Sequence, residues 1–286
     1  MIKVLIFGST GQLGADLVDI LQHSGSFEII PLTHEMADCR DADRVRRAVL
    51  QCRPQVVVNS VGYVRVDDCE DRSAEAFAIN AIGALNIARA STEVDACCVY
   101  ISTDYVFDGE KKTPYVESDL TRPINVYGTS KLAGELLVRQ TSHRSLIVRT
   151  ASLFGRTGAR GKGGNFVETI LAKAKLGDPL KVVDDIRISP TYTRDAAKAI
   201  ADLLGAGHEG IVHVANSGSC TWYKFARQAL DLCRIEMPIC AVPSTDFPMR
   251  ARRPRNSSLA SETLPTAMAH WREALSRYLC EKGHIV

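Results

Sequence analysis

Gly8-Ser-Thr-Gly11-Gln-Leu-Gly14 decides the reading of this 286-residue chain. It follows an apolar run, Lys3 to Phe7, that predicts a buried strand, and it opens a segment with Leu13, Leu17 and Leu21 on one helical face. A strand, a glycine turn and a helix in this order form a phosphate cradle. Gly8 permits the turn, Gly11 lets a pyrophosphate approach the backbone, and Gly14 lets helix and strand pack closely. The helix start supplies free N–H groups and partial positive charge. The glycines are three apart, unlike the commoner G-x-G-x-x-G spacing, but the context makes a purely structural turn the weaker reading.

Outward from this turn, the first half alternates. Strands are predicted at Phe27 to Ile30, Gln55 to Asn59, Cys97 to Ser102 and Leu146 to Arg149. Helices are predicted around Val45 to Val49, over Ala74 to Ala90 with Phe77, Ala78, Ala81, Leu85 and Ala88 inward, and over Tyr127 to Arg139. This rhythm predicts an α/β fold, a Rossmann-type doubly wound parallel sheet with helices on both faces. Ligands then bind beyond the C-terminal strand ends, where Gly8, Asn59 and Thr103 converge. The second half is less regular. Helices are expected at Phe166 to Lys175, Arg194 to Leu204, Trp222 to Leu232 and Thr266 to Leu279, with strands near Leu180 to Val183 and Ile211 to Ala215. The reading is a dinucleotide-binding domain over 1–150, joined by about 191–216, and a smaller C-terminal substrate domain from 151–190 and 217–286.

Composition narrows the class. Hydrophobic residues make up 45% and charged residues 24%, which suits a soluble protein with a substantial core. A net charge of +2 does not support nucleic acid as a partner. No apolar run approaches the roughly 20 residues that span a bilayer, and the opening apolar run stops at Gly8, too early for a signal-peptide core. Nine scattered cysteines without metal-like spacing suggest reduced thiols in a cytoplasmic protein. The histidines lie apart, so no metal site is expected. The same reading admits a homodimer without requiring one.

Tyr127-Gly-Thr-Ser-Lys131 supplies the chemistry. One helical turn separates the phenol from the ammonium, so they share a face. A nearby ammonium favours the phenolate and is expected to lower the Tyr127 pKa, giving an acid/base suited to carbonyl reduction. Ser102-Thr-Asp-Tyr-Val-Phe-Asp-Gly109 follows a strand end, where the Thr103 hydroxyl can hold a substrate carbonyl. Asn80 can orient a water or the lysine's surroundings, or serve as a buried structural amide. Cofactor choice depends on Pro31-Leu-Thr-His-Glu35. No acid follows the second strand directly to hold a ribose 2′-hydroxyl, and no Arg is there for a 2′-phosphate. Thr33 and His34 fit either NADH or NADPH. Glu35 would exclude NADPH, or is a solvated charge. Asp38-Cys39 meets the adenine edge, or Asp38 caps a helix. Gly158-Ala-Arg-Gly-Lys-Gly-Gly164 can close over a nucleotide diphosphate or be a solvated loop. Arg253-Pro-Arg-Asn-Ser257 can bind phosphate or carboxylate, or form a turn.

With these residues in hand, the chain resembles the extended short-chain dehydrogenase/reductases, and within them the dTDP-4-dehydrorhamnose reductase group, across nearly its whole length. The matching segments are the glycine turn, Ser102 to Phe107, Tyr127 to Glu135, Arg149-Thr150, Gly164 to Phe166, Ser189 to Thr191 and Arg253 to Ser257. The resemblance implies NADPH or NADH as cofactor and reduction of the 4-keto group of a nucleotide-diphosphate deoxysugar. It implies Thr103, Tyr127 and Lys131 as catalytic residues, with Lys131 also holding the nicotinamide ribose. The cofactor side takes in Gly8, Thr10, Gly11, Gln12, Leu13, Gly14, Asp38, Cys39, Asn59, Ser60 and Val61. The substrate side takes in Val66, Asp104, Tyr105, Asn165 and Arg253. Three positions depart from the family pattern: Ser152 replaces a sugar-side Trp, Ile186 replaces a Gln, and Asn59-Ser-Val-Gly62 replaces Asn-Ala-Ala-Ala. Two other readings remain: a nucleotide-sugar epimerase or dehydratase, and a non-catalytic binding subunit resembling the regulatory beta subunit of methionine adenosyltransferase.

Overall fold

Every strand of the central sheet runs parallel to its neighbours, and the buried apolar runs are the reason. The computed structural model describes residues 1–158 and 164–285. Its first half contains β1 (Ile2–Phe7), α1 (Gln12–His23), β2 (Phe27–Leu32), α2 (Ala42–Cys52), β3 (Val56–Asn59), α3 (Val66–Asp71), α4 (Ser73–Phe77), α5 (Gly83–Glu93), β4 (Cys97–Thr103), α6 (Val126–Thr141) and β5 (Ser145–Thr150). The second half contains β6 (Leu153–Phe154), α7 (Phe166–Leu176), β7 (Leu180–Val183), β8 (Arg187–Ile188), β9 (Thr191–Tyr192), α8 (Thr193–Gly205), β10 (Gly210–His213), β11 (Cys220–Thr221), α9 (Trp222–Leu232), β12 (Ile239–Val242) and α10 (Trp271–Glu281). The sheet order is β2-β1-β3-β4-β5-β10. The order reverses at β1 and β3, where Phe7 pairs with Asn59, and a ligand crevice opens beyond their ends.

Successive side chains of a strand point to opposite faces, and the two cores follow that alternation. Val4, Ile6 and Val58 face one side, where Leu13, Leu17 and Leu21 of α1 and Ala196 and Ile200 of α8 cover them. Leu5, Phe7 and Val57 face the other, against Val45 and Val49 of α2 and Ile87 and Ala88 of α5. Pro31 is tolerated in β2 because that strand lies at the sheet edge. After β5 the chain leaves the sheet and builds a separate apolar cluster from α7, α9 and α10, centred on Phe154, Phe225, Trp271 and Tyr278. It returns through β9, which pairs with β6, to supply α8 and β10. No helix among the described residues is long and apolar enough to cross a membrane.

Two expected helices differ from the sequence reading. The stretch 74–90 is interrupted by a π-helical turn at Ala78–Ile82. Its extra residue rotates the inward face, so Phe77, Ala78 and Leu85 are only partly buried while Ala76, Ala84 and Ile87 are buried. The last helix begins at Trp271, not Thr266. The preceding backbone is committed elsewhere: Ser217 N–H donates to Ala269 and Trp271 N–H donates to Ser217. That pairing holds His270 extended beside Ser217.

Candidate active site

The glycine turn sits at the floor of a cleft of about 660 Å³. Gly8 has φ +78°, and a Cβ there would lie 2.9 Å from the Ser60 carbonyl group. A side chain would therefore close the crossing between the ends of β1 and β3. Gly14 carries no Cβ because one would lie 2.1 Å from the Gly8 carbonyl oxygen. No side chain caps α1 at Gly11, so its first N–H groups remain for a ligand. Thr10, Gly11, Gln12 and Leu13 line the cleft, as do Ser60 and Val61. Gly14 and Asn59 stand behind it. The Asn59 side chain accepts from Val61 N–H at 3.1 Å and so shapes the turn.

Beyond β2, His34, Ala37 and Cys39 reach the wall, whereas Glu35 and Asp38 do not. The capping reading of Asp38 is corrected: Asp41 caps α2, accepting from Arg44 N–H at 3.0 Å. Asp38 instead pairs with Arg40 at 2.6 Å, and that hydrogen bond holds its carboxyl below the ordinary value. The side chain is spent locally on the turn into α2.

Thr103 ends β4 and is buried, accepting from Tyr105 N–H at 3.2 Å. Its hydroxyl donates to Asp104 Oδ1 at 3.0 Å, and Tyr127 lines the same cleft. Asn125 caps α6 through Gly128 N–H at 2.8 Å, and the Tyr105 ring meets the Tyr127 ring edge-on at 5.9 Å. Lys131 lies one turn further along the same wall. It is 3% exposed, donates from Nζ to the Ile101 carbonyl at 2.5 Å and stands 4.0 Å over the Tyr100 ring.

The expected depression of the Tyr127 pKa is corrected. Burial raises the phenol well above its ordinary value, opposed by the nearby Thr103 side chain. Burial also pushes Lys131 down to about 7, opposed chiefly by Glu135. Desolvation dominates both groups, and the Asp104 carboxylate in the same cleft raises the phenol further. Tyr127 is therefore held as the phenol, the form that donates a proton.

A polar layer behind this pair went unread as a unit in the sequence. Glu135 and Arg149 form a buried ion pair at 2.8 Å, 1% and 3% exposed, and Ser102 Oγ donates to Glu135. The available signal was Glu135 four residues after Lys131, on the same helical face. Asn80 takes the structural alternative. Its amide accepts from Tyr63 N–H at 2.8 Å and donates to Ser130 at 2.9 Å.

Val66, Asp104, Tyr105, Asn165 and Arg253 all line the cleft. Arg253 pairs with Asp67 at 2.7 Å and lies 5.8 Å from the Tyr105 ring centre. Its Nε is buried without a hydrogen bond among the described residues. The amide of Asn165 is committed to structure. It caps α7 at Glu168 N–H, 3.1 Å away, and donates to Gly155 and Tyr278. Ser152 lines the cleft with φ +42°, while Ile186 is buried in the second-half apolar cluster. The sequence reading missed Phe166, Thr169, Trp222 and Phe225, which complete the wall. Most of the loop expected to close over a diphosphate, 159–163, lies outside the described residues.

The RmlD substrate binding domain family matches residues 2–283. The spore coat polysaccharide biosynthesis protein SpsK of Bacillus subtilis is 41% identical over 99% of both chains. A dTDP-4-dehydrorhamnose reductase of Burkholderia thailandensis is 36% identical, covering 92% of this chain and 91% of its own. The crystal structure of a Bacillus anthracis dTDP-4-dehydrorhamnose reductase in complex with NADP superposes with a TM-score of 0.93. It is 36% identical over 98% of this chain and 99% of its own.

Proposed function

Because the chain belongs to the RmlD substrate-binding-domain family of extended short-chain dehydrogenase/reductases, we propose that it reduces the 4-keto group of a nucleotide-diphosphate deoxysugar with NADPH or NADH. The favoured reaction converts dTDP-4-dehydrorhamnose to dTDP-rhamnose. One observation carries the reading: Thr103, the half-buried Tyr127 and, one turn further, Lys131 line the same cleft as the glycine turn. The chain's relatives include reductases of that name.

A nicotinamide dinucleotide fits the cleft. The side-chain-free cradle at Gly8 and Gly11 and the uncapped start of α1 suit a pyrophosphate. Gly8, Thr10, Gly11, Gln12, Leu13, Ser60 and Val61 would hold it, with Cys39 and His34 on the adenine side. When bound, the reduced cofactor supplies the hydride. The protein supplies position and a proton. Thr103 aligns the ketone by turning its hydroxyl from Asp104 to the ketone oxygen, Tyr127 donates its phenolic proton to that oxygen, and the Lys131 ammonium stabilises the phenolate left behind. Val66, Asp104, Tyr105 and Arg253 are assigned to the sugar and its phosphates. Gly14, Asn59 and Asn165 act through packing and turn geometry.

Tyr105 follows Asp104 where a dehydratase of this superfamily carries a glutamate, which argues against elimination. Relatives and a solved structure named as reductases favour an enzyme over a binding subunit. Nine free thiols support a reducing, cytoplasmic setting. The test mixes the protein with NADPH and dTDP-4-dehydrorhamnose and follows the absorbance of the reduced nicotinamide. Turnover is expected. No turnover with that sugar or related nucleotide keto-sugars overturns the proposal.

A further inference from the structure

We propose that Trp222 and Phe166 form the seat for the pyrimidine ring of the nucleotide-sugar substrate. The inference rests on the reductase reading above and adds a recognition subsite to it. Two groups already account for most of such a substrate. The keto-sugar belongs beside Thr103 and Tyr127, and Arg253 offers its positive charge to the phosphates. The planar, neutral base remains, and the wall built by the second-half cluster matches it.

That wall joins the start of two helices. Phe166 is the first residue of α7, after its cap Asn165, and Trp222 is the first residue of α9, after its cap Thr221. Their rings are 4.6 Å apart and tilted by 55°. Phe166 is in turn stacked on Phe225 at 5.7 Å and 13°. Phe225 is 1% exposed and acts as the backing. Phe166 and Trp222 are only partly buried, and both line the cleft. Part of the apolar surface of these two large rings thus stays exposed at the cavity wall. A flat ring suits such faces, because stacking recognises any π surface.

Polar groups near the rings fit a neutral ligand. The Thr169 hydroxyl donates to the Asn165 carbonyl at 3.0 Å, so its lone pairs can accept from a ring N–H. The Asn165 amide is already committed. No carboxylate or cation lines the cleft among the residues contributed by α7 and α9. A phosphate or a charged sugar would find no complement there.

The chain has two tryptophans, and Trp271 is 1% exposed in the core. Intrinsic fluorescence therefore reports ligands at Trp222. Titration with dTDP should quench it saturably, and pyrophosphate, which lacks the base, should not. Calorimetry on Trp222→Ala should show dTDP binding weakened about 5- to 100-fold, from the worth of one stacked base. The KM for the keto-sugar should rise by a similar factor with kcat retained. Trp222→Phe should recover most of the affinity, and Phe166→Leu should weaken binding in the same direction. Unchanged dTDP affinity in Trp222→Ala overturns the subsite while leaving the reductase reading intact. Failure of the wild-type protein to bind dTDP overturns both. Displacement of dTDP by 2′,5′-ADP would assign the rings to the adenine of the cofactor and overturn the subsite.

Discussion

Gly128→Ala asks whether the helix carrying Tyr127 must sit hard against the turn carrying Thr103. Gly128 is the third residue of α6, next to the phenol. A Cβ there would lie 2.1 Å from the Tyr105 carbonyl oxygen and 2.9 Å from its carbon. Favourable contact between heavy atoms begins near 3.5 Å, so the start of the helix must retreat by about 1 Å or more. Two effects compete. Alanine in place of glycine strengthens a helix by about 1 kcal/mol. Forcing a methyl into a packed contact costs about 1–3 kcal/mol. The obstacle here is backbone, which cannot swing aside as a flexible side chain does, so the clash is expected to win. The retreat carries Tyr127 away from Thr103, and a misplacement of about 1 Å is worth on the order of 10²-fold in rate. Steady-state assays should show kcat reduced by about that factor. Cofactor affinity should fall far less than kcat, because the glycine turn that holds the pyrophosphate lies on β1 and α1. Urea denaturation should show a lower midpoint. A variant with wild-type kcat and a raised midpoint would refute the close approach.

Gly14→Ala places a Cβ 2.1 Å from the Gly8 carbonyl oxygen, so NADPH titration should show binding lost or strongly weakened; unchanged affinity would contradict the cradle. Glu135→Gln strands the buried Arg149 charge and should cost about 3–5 kcal/mol in urea denaturation. The kcat/KM profile should fall as pH rises past about 7, because the free enzyme's Lys131 loses its charge there, while the buried phenol stays protonated throughout. In any Glu135→Gln protein that stays folded, the break should move to lower pH, since Glu135 is the chief group opposing burial at Lys131. A flat profile from pH 6 to 9 would refute the assignment of the ammonium.

The parallel sheet was legible because its strands are buried on both faces. Val56-Val57-Val58 has no polar alternation, and a glycine turn after β1 marks where the sheet's order reverses. The spacing of Tyr127 and Lys131 likewise puts them on one wall in any helix. Their electrostatics were not legible, because the pKa shifts depend on how completely each group is buried. Neither was the π turn, since one extra residue shifts the inward face without any change of composition. Trp222 and Phe166 stand at the expected starts of helices, with no spacing that marks them as site residues. Only the fold leaves their rings facing the same cleft as Tyr127. Asp38 misled because Asp41, three residues later, offers the same capping chemistry and has the free backbone to use it.

The central claim is that the hydroxyl of Tyr127 delivers the proton to the substrate ketone. A single-turnover experiment with dTDP-4-dehydrorhamnose and NADPH, run side by side on the wild type and Tyr127→Phe, tests it most directly. The account predicts rapid oxidation of NADPH by the wild type. The variant should be slowed by about 10²- to 10⁴-fold while binding NADPH as tightly. Equal rates in the two proteins would contradict it.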